Sequence, residues 1–359
     1  MQPRRDGAQG FDKIAVLRAN GIGDYVFAVP ALEALRARFP QAEIVLLGKS
    51  WHAAFLQDRF EPVDRVVVVP PCPGVGEEPG TPVDQDVLER FFAEMARERF
   101  DLAIQLHGGG RYSNPFVQRL GAAFTIGLRT PDAAPLDRWV PYFHFQPEVM
   151  RYLEVVALVG AVPVRLEPRI EVGAADLAEA AQLAIDPERP LAVLHPGATD
   201  RRRHWPSRKF AVVGDALAAA GARVVVIGTE PERPLVAALL AGMKAEADGV
   251  CGRLSLGGLA GLLSRAAVVV ANDSGPLHLA AAVGAPTVGI FWCGNLINGG
   301  PFTRTRHRPL VSWRLHCPRC GVNTLEAACE DHDSFVADVP VAEVTAAALD
   351  LLALSGAQG

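Results

Sequence analysis

The chain has 359 residues and a mass of 38.3 kDa, enough for about two domains. Half of the residues are hydrophobic and 21% are charged, which excludes a disordered chain. A net charge of −5 argues against a nucleic-acid binder that relies on a basic surface, and six cysteines in so long a chain do not make a disulfide scaffold. The basic N-terminal residues 1–13 are followed by no apolar signal core. No stretch approaches the roughly 18 uninterrupted apolar residues of a membrane span. The expected location is the cytoplasm, with peripheral contact at the inner membrane left open.

In chain order, short runs rich in Val, Ile and Leu alternate with amphipathic segments. The first half has runs at Lys13–Arg18, Glu43–Gly48, Arg65–Val69, Leu102–Leu106 and Phe124–Leu128. Runs of this kind suit strands buried on both faces of a parallel sheet. Helices are expected at Val29–Phe39 and Val87–Arg99; in the latter Val87, Leu88, Phe91, Phe92 and Met95 recur at helical spacing. Pro70–Pro82 reads as a strand-free surface loop. The second half repeats the scheme, with strands at Leu191–Leu194, Arg223–Ile227, Ala267–Ala271 and Thr287–Phe291. Its helices are at Ser207–Ala220, Pro231–Ala241, Leu256–Ser264 and Pro276–Val283. The fold class is therefore α/β, with two doubly wound parallel-sheet domains. Residues 1–165 form the N-terminal domain, 166–189 a linker, 190–340 the C-terminal domain and 341–359 a terminal helix and tail. Ligands of such folds bind at the carboxyl ends of the strands, so a cleft between the two sheets is expected to hold the chemistry.

Three strand-to-helix turns carry it. The first, A-N-G-I-G-D-Y-V at 19–26, uses Gly21 and Gly23 for a tight turn and places Asp24 at a helix start. Asp24 is either an N-cap, for which Asp is favoured, or a functional carboxylate. Position 26 is Val26 where a dinucleotide fingerprint needs glycine, which disfavours a dehydrogenase. The second, L-H-P-G-A-T-D-R-R-R-H-W-P at 194–206, offers the Thr199 hydroxyl and the cations Arg201, Arg202 and Arg203, a combination suited to a diphosphate. The third, opening N-D-S-G-P-L-H at 272–278, starts a helix whose N-terminus favours an anion, with Asp273 again either a cap or functional. Glu230 in I-G-T-E-P-E stands where an acid often binds ribose hydroxyls. Arg111, Ser113 and Asn114 in L-H-G-G-G-R-Y-S-N-P either contact an acceptor or form only a mobile loop. Asp84-Gln85-Asp86 opens an amphipathic helix and reads as a helix N-terminal charge pattern, not a metal-binding pair.

Taken together, the G-I-G-D turn, L-H-P-G-A with R-H-W-P, and N-D-S-G-P-L-H-L-A-A-A-V-G-A-P-T-V-G-I-F resemble glycosyltransferase family 9, the ADP-heptose:lipopolysaccharide heptosyltransferase family. The resemblance implies a GT-B fold of two Rossmann-like domains, with the acceptor on the N-terminal one and the nucleotide sugar on the C-terminal one. It implies inverting transfer with no cofactor required for catalysis, from ADP-heptose or a related nucleotide sugar to a saccharide or lipid-linked acceptor. Asp24 resembles the family's general base. Arg203 stands where the family usually has a phosphate-binding lysine, Glu230 resembles the ribose contact, and Asp273, Ser274, Gly275 and His278 resemble the turn holding sugar and diphosphate, with Thr199 beside them. Gly23, Arg111, Ser113 and Asn114 are the acceptor-side candidates. Alternatives on the same fold are a transferase of another nucleotide sugar, a sugar-nucleotide epimerase and a non-catalytic nucleotide-sugar-binding protein.

Near the C-terminus, H-C-P-R-C-G-V-N-T-L-E-A-A-C-E-D-H offers Cys317, Cys320, Cys329 and His332. The set suits a structural zinc, though its middle spacing is short for common zinc modules. A reduced cluster or a redox-labile disulfide is the other reading.

Overall fold

A computed structural model describes residues 10–356 apart from 58, 60, 61, 184, 187, 326–330 and 332. The chain divides into two compact units, Met1–Pro168 and Arg169–Gly359. In the first unit the strands are β1 (Lys13–Leu17), β2 (Glu43–Gly48), β3 (Arg65–Val68), β4 (Cys72–Pro73), β5 (Gly76–Glu77), β6 (Leu102–Gln105), β7 (Phe124–Arg129) and β8 (Arg138–Pro141). Six of them form one parallel sheet in the order β3-β2-β1-β6-β7-β8. Its inner strands are buried along nearly their whole length, which is why they read as apolar runs. The short pair β4 and β5 lies within Pro70–Pro82, so that segment is not strand-free. Two-residue strands carry too little periodicity to show in a sequence.

The second unit has β9 (Leu191–His195), β10 (Arg223–Gly228), β11 (Asp248–Cys251), β12 (Ala266–Asn272), β13 (Thr287–Trp292) and β14 (His307–Ser312). They form a second all-parallel sheet in the order β11-β10-β9-β12-β13-β14. The helix Ala174–Ala181, inside the segment read as a linker, belongs to this unit: Glu179 accepts from the Ser255 amide and hydroxyl. The C-terminal helix Val341–Gly356 closes the core of this unit with Val344, Ala348 and Leu351. No helix among the described residues is long and apolar enough to cross a membrane.

Both sheets reverse direction of winding once, between β1 and β6 in the first and between β9 and β12 in the second. At such a switch point the loops leaving the two central strands diverge to opposite faces and leave a crevice at the carboxyl ends. The turns after these four strands are 18–24, 106–113, 195–206 and 272–275. They include the three turns singled out in the sequence, and the architecture gives a physical reason for polar residues to gather there.

Candidate active site

In the first unit β1 delivers Arg18, whose side chain is only 3% exposed. A buried guanidinium must be paired, and this one is held from several sides. Its Nη2 donates to Asp24 Oδ1 at 2.6 Å, Nη1 donates to the Leu106 carbonyl at 2.9 Å and Nε donates to the Asp24 carbonyl at 3.2 Å. Arg18 also lies 3.5 Å from Glu148 and over the Tyr152 ring. Asp24 is not the N-cap of the helix Ile22–Arg38. Gly21 is, and its amide donates to Asp24 Oδ2 at 3.0 Å. The carboxylate is thus fixed by one cation and one amide while 39% of the side chain stays exposed. Gly23 is half-buried in the first turn of the same helix.

Across the switch point, the loop after β6 borders an open pocket of about 390 Å³ lined by Asn20, His107, Arg111, Tyr112, Thr130 and Tyr142 among others. His107 accepts from the Ala19 amide through Nδ1 at 3.3 Å, and burial together with the Arg18 charge lowers its pKa to about 3. It is a neutral imidazole. Arg111 reaches into solvent near Asp132, at 3.8 Å. Ser113 and Asn114 behave differently: both are buried, Ser113 donating to the His107 carbonyl at 2.6 Å and Asn114 Nδ2 to the Ala134 carbonyl at 2.8 Å. They hold the loop in place beside the pocket.

In the second unit the centre is Asp273, 6% exposed and saturated with partners. His278 Nε2 lies 2.9 Å from Oδ1; Arg203 Nη1 and Asn295 Nδ2 donate to Oδ2 at 3.1 and 2.6 Å. Burial pushes the Asp273 pKa up, but the His278 hydrogen bond and the Arg203 charge outweigh it and the net shift is downward. Ser274, not Asp273, is the N-cap of the helix Gly275–Ala282. Its hydroxyl donates to the Asn272 carbonyl at 3.0 Å and lies 3.1 Å from His195 Nδ1. Asn272 is fully buried and ties the arginine turn to the strand end: Nδ2 donates to the Pro196 carbonyl at 2.6 Å, and Oδ1 accepts from the Trp205 amide at 3.0 Å.

That leaves Thr199 exposed and Arg203 with Nε and Nη2 unengaged among the described residues. Arg202 is spent on Asp200, at 2.7 Å. From the C-terminal side, Phe335 donates its amide to the Arg202 carbonyl at 2.7 Å. Trp205 Nε1 donates to the Val339 carbonyl at 3.1 Å, and Lys209 donates to the Ala337 and Val339 carbonyls. Glu230 is exposed and paired with Arg233 at 2.5 Å. Glu232 lies deeper, 3.6 Å from His195 Nε2 and accepting from the Thr229 amide and hydroxyl. Burial raises its pKa, yet the His195 and Thr229 hydrogen bonds bring it down to about 2. A Cβ at Gly197 would stand 1.9 Å from Glu232 Oε1, so glycine is what lets the carboxylate lie over the turn.

The residues that sequence patterns did not single out are Arg18, Glu148, His195, Glu232, Asn272 and Asn295. Each has at least one partner distant in the chain. Only the presence of Arg18 at the end of an otherwise apolar strand could have drawn notice.

Near the C-terminus, Cys317 Sγ, Cys320 Sγ and a carboxylate oxygen of Asp331 lie within 4.8 Å of one another. Cys317 is buried, and the Arg319 amide donates to its sulfur at 3.5 Å. Cys329 and His332 lie outside the described residues.

Two Rossmann-like units, each gathering its charged residues at the switch point of a parallel sheet, define the GT-B class of glycosyltransferases. The chain belongs to glycosyltransferase family 9 (heptosyltransferase), whose model matches residues 88–309, and it is an enzyme of glycosyl transfer. Lipooligosaccharide heptosyltransferase 2 of Haemophilus influenzae is 24% identical over 303 residues, covering 77% of this chain and 82% of that protein. Lipopolysaccharide heptosyltransferase 2 of Salmonella typhimurium is 25% identical over 303 residues, covering 78% and 82%. Among solved structures, a family 9 glycosyl transferase from Veillonella parvula has a TM-score of 0.79 at 19% identity, covering 96% of this chain and 98% of that one. The E. coli ADP-heptose lps heptosyltransferase II has a TM-score of 0.74 at 20% identity, covering 96% and 99%. The solved structures share the fold.

Proposed function

We propose that the enzyme transfers heptose from ADP-heptose to a lipid-anchored saccharide of the lipopolysaccharide type, with inversion at the anomeric carbon. The observation that carries this reading is the division of labour between the two switch points. One presents a fixed, partly exposed carboxylate, and the same two turns supply Asn20 and His107 to an open pocket. The other presents Arg203 and Thr199 next to a helix N-terminus. The names of the relatives supply the sugar, the nucleotide and the acceptor class.

In the reaction an acceptor hydroxyl oxygen attacks the anomeric carbon as the bond to the diphosphate oxygen breaks. The hydroxyl proton passes to Asp24, and ADP leaves with the bonding electron pair. Arg203, Thr199 and the amides at Gly275 meet the charge growing on the diphosphate, so the chain's own cations stabilise the leaving group. Asp273 and Asn295 aim Arg203, and Glu230, exposed beyond the end of β10, accepts from ribose hydroxyls. Asn20, His107, Arg111 and Tyr142 line the acceptor side. Calorimetric titration with ADP, UDP, GDP and ADP-heptose, with and without EDTA, tests the donor. Selective, EDTA-insensitive binding of ADP and its heptose supports it; preference for UDP or GDP replaces heptose with another sugar; binding of none overturns ADP-heptose as the donor.

We also propose that Cys317 and Cys320 hold a structural metal with a third ligand nearby. Two thiols and a carboxylate around one point, with an amide aimed at the buried sulfur, suit a zinc or iron ion. A structural neighbour of 14% identity is an iron-containing glycosyltransferase from E. coli. Elemental analysis of the purified protein decides it. Stoichiometric metal that is lost in Cys320→Ser supports the site, and metal-free protein with freely titrating thiols rejects it.

A further inference from the structure

Arg18 is shared between two carboxylates. Its Nη2 donates to Asp24 Oδ1 at 2.6 Å and lies 3.5 Å from Glu148 Oε2. Glu148 opens the helix Glu148–Ala157 with 17% of its side chain exposed, and its other oxygen pairs with Arg151 Nη1. Arg151 is 1% exposed, and its Nη2 donates to the carbonyls of Phe143, His144 and Gln146 at 2.8, 2.9 and 3.1 Å. The side chains Asp24, Arg18, Glu148 and Arg151 therefore form one row of alternating charge whose formal sum is zero. Main-chain carbonyls close the row at the Arg151 end, and solvent reaches it at Asp24.

A carboxylate that has a buried guanidinium to itself is held firmly in its charged form and makes a weak base. A second carboxylate on the same guanidinium works the other way, because like charges disfavour each other's ionisation. Arg18 is 3% exposed and cannot turn to water instead. Without the Glu148 charge, two buried guanidinium groups would share one carboxylate, and Arg18 would settle wholly on Asp24. The other titratable groups around the row are Lys49, His52, His107, Tyr142 and His144. Burial holds His52 and His107 neutral, at about 3, and pushes the Tyr142 phenol above its usual 10, so these three keep one charge state between those limits. His144 is exposed and packs on Phe145. We propose that Glu148 is a positioning residue of the transfer reaction: by taking part of the Arg18 charge it keeps Asp24 basic enough to accept the proton of the acceptor hydroxyl. Glu148 itself takes no proton. This deepens the reading of Asp24 as the base and rests on it.

The test compares the native enzyme with Glu148→Gln, with melting curves to show that both are folded. With ADP-heptose and heptose-deficient lipopolysaccharide as substrates, the acid limb of the kcat/KM profile should move about one pH unit lower in Glu148→Gln. Its plateau kcat should fall about threefold, as expected for a weaker base. Glu148→Asp, which restores the carboxylate, should return both toward native values. If Glu148→Gln does not fold, Glu148→Gln/Arg151→Gln removes one charge of each sign and should move the limb the same way. His144→Gln should leave the limb in place. Carbon-13 NMR of carboxyl-labelled aspartate, with the Asp24 signal assigned by its loss in Asp24→Asn, should show Asp24 titrating at lower pH in the Glu148 variant than in the native enzyme. An unmoved Asp24 titration in the folded variant overturns the proposal, as does an equal shift in His144→Gln. A moved titration with an unmoved rate profile overturns the reading of Asp24 as the base, and the part of Glu148 in the reaction with it. If the native enzyme does not turn over these substrates, the NMR titration alone decides whether Glu148 tunes Asp24.

Discussion

Asp24 and Asp273 occupy equivalent places, each just beyond a central strand at the switch point of a parallel sheet and each at the start of a helix. They differ in what surrounds them. Asp24 has one guanidinium, one amide and 39% of its side chain in solvent. Asp273 has a histidine, an arginine and an amide on its two oxygens, with 6% exposed. An accessible carboxylate with spare lone pairs can take a proton from a substrate. A saturated, buried one can only orient its neighbours. On the proposed mechanism it is the difference in partners, not in residue type or position, that makes Asp24 the reacting group and Asp273 a positioning one.

Four experiments break or sharpen this contrast. Asp24→Asn should lower kcat by about 10²–10⁴-fold, the usual worth of a positioned base, while ADP affinity stays as it was. Retained turnover would move the base elsewhere. Asp273→Ala should leave Arg203 and His278 without their counter-charge and destabilise the second unit by about 3–5 kcal/mol in denaturant unfolding. A stable variant would mean that the buried cluster is easily rearranged. Arg203→Ala should weaken ADP roughly 10- to 100-fold in calorimetry, the loss of a charge-assisted hydrogen bond to phosphate. Unchanged affinity would leave the diphosphate to other groups.

The smallest effect concerns pH. His52 and His107 have pKa values lowered from 6.5 to about 3 by burial and the nearby Arg18 charge. Below pH 6.5 the unfolded chain takes up protons that these folded side chains refuse, so stability falls from there to about pH 3. Glu232, lowered from 4.5 to about 2, adds stability that is present above pH 4.5 and lost as the pH falls toward 2. The melting temperature should therefore climb with pH through this acid range. His107→Gln should climb less steeply; an identical slope would mean that His107 is not held neutral.

The core of the fold was legible because central parallel strands are buried on both faces. Glu43–Gly48 and Leu256–Ser264 match their sequence ranges to the residue. Of the edge strands, β3 was read as Arg65–Val69, but β8, β11 and β14 escaped for the converse reason. β8 is R-W-V-P and mostly exposed, and β14 carries Pro309, tolerable at an edge but foreign to a central strand. The site was legible where it is local: glycine turns, an arginine run, a proline-led helix. It was not legible where it depends on pairing across the fold. Asn272 joins Pro196 to Trp205, and Glu148 joins Arg18 to Arg151; nothing in either residue's neighbourhood names the partner. Asp24 and Asp273 look alike in sequence for the same reason.

The strap from Phe335 to Val339, bonded to Arg202, Trp205 and Lys209, has a consequence for biosynthesis. Domains form as they emerge during translation, N-terminal parts first. A nascent chain that has released all six strands of the second sheet still lacks the carbonyls that anchor the indole of Trp205 and the ammonium of Lys209. The turn 195–206 is therefore finished only after residues 335–339 have emerged, behind every strand of its own sheet.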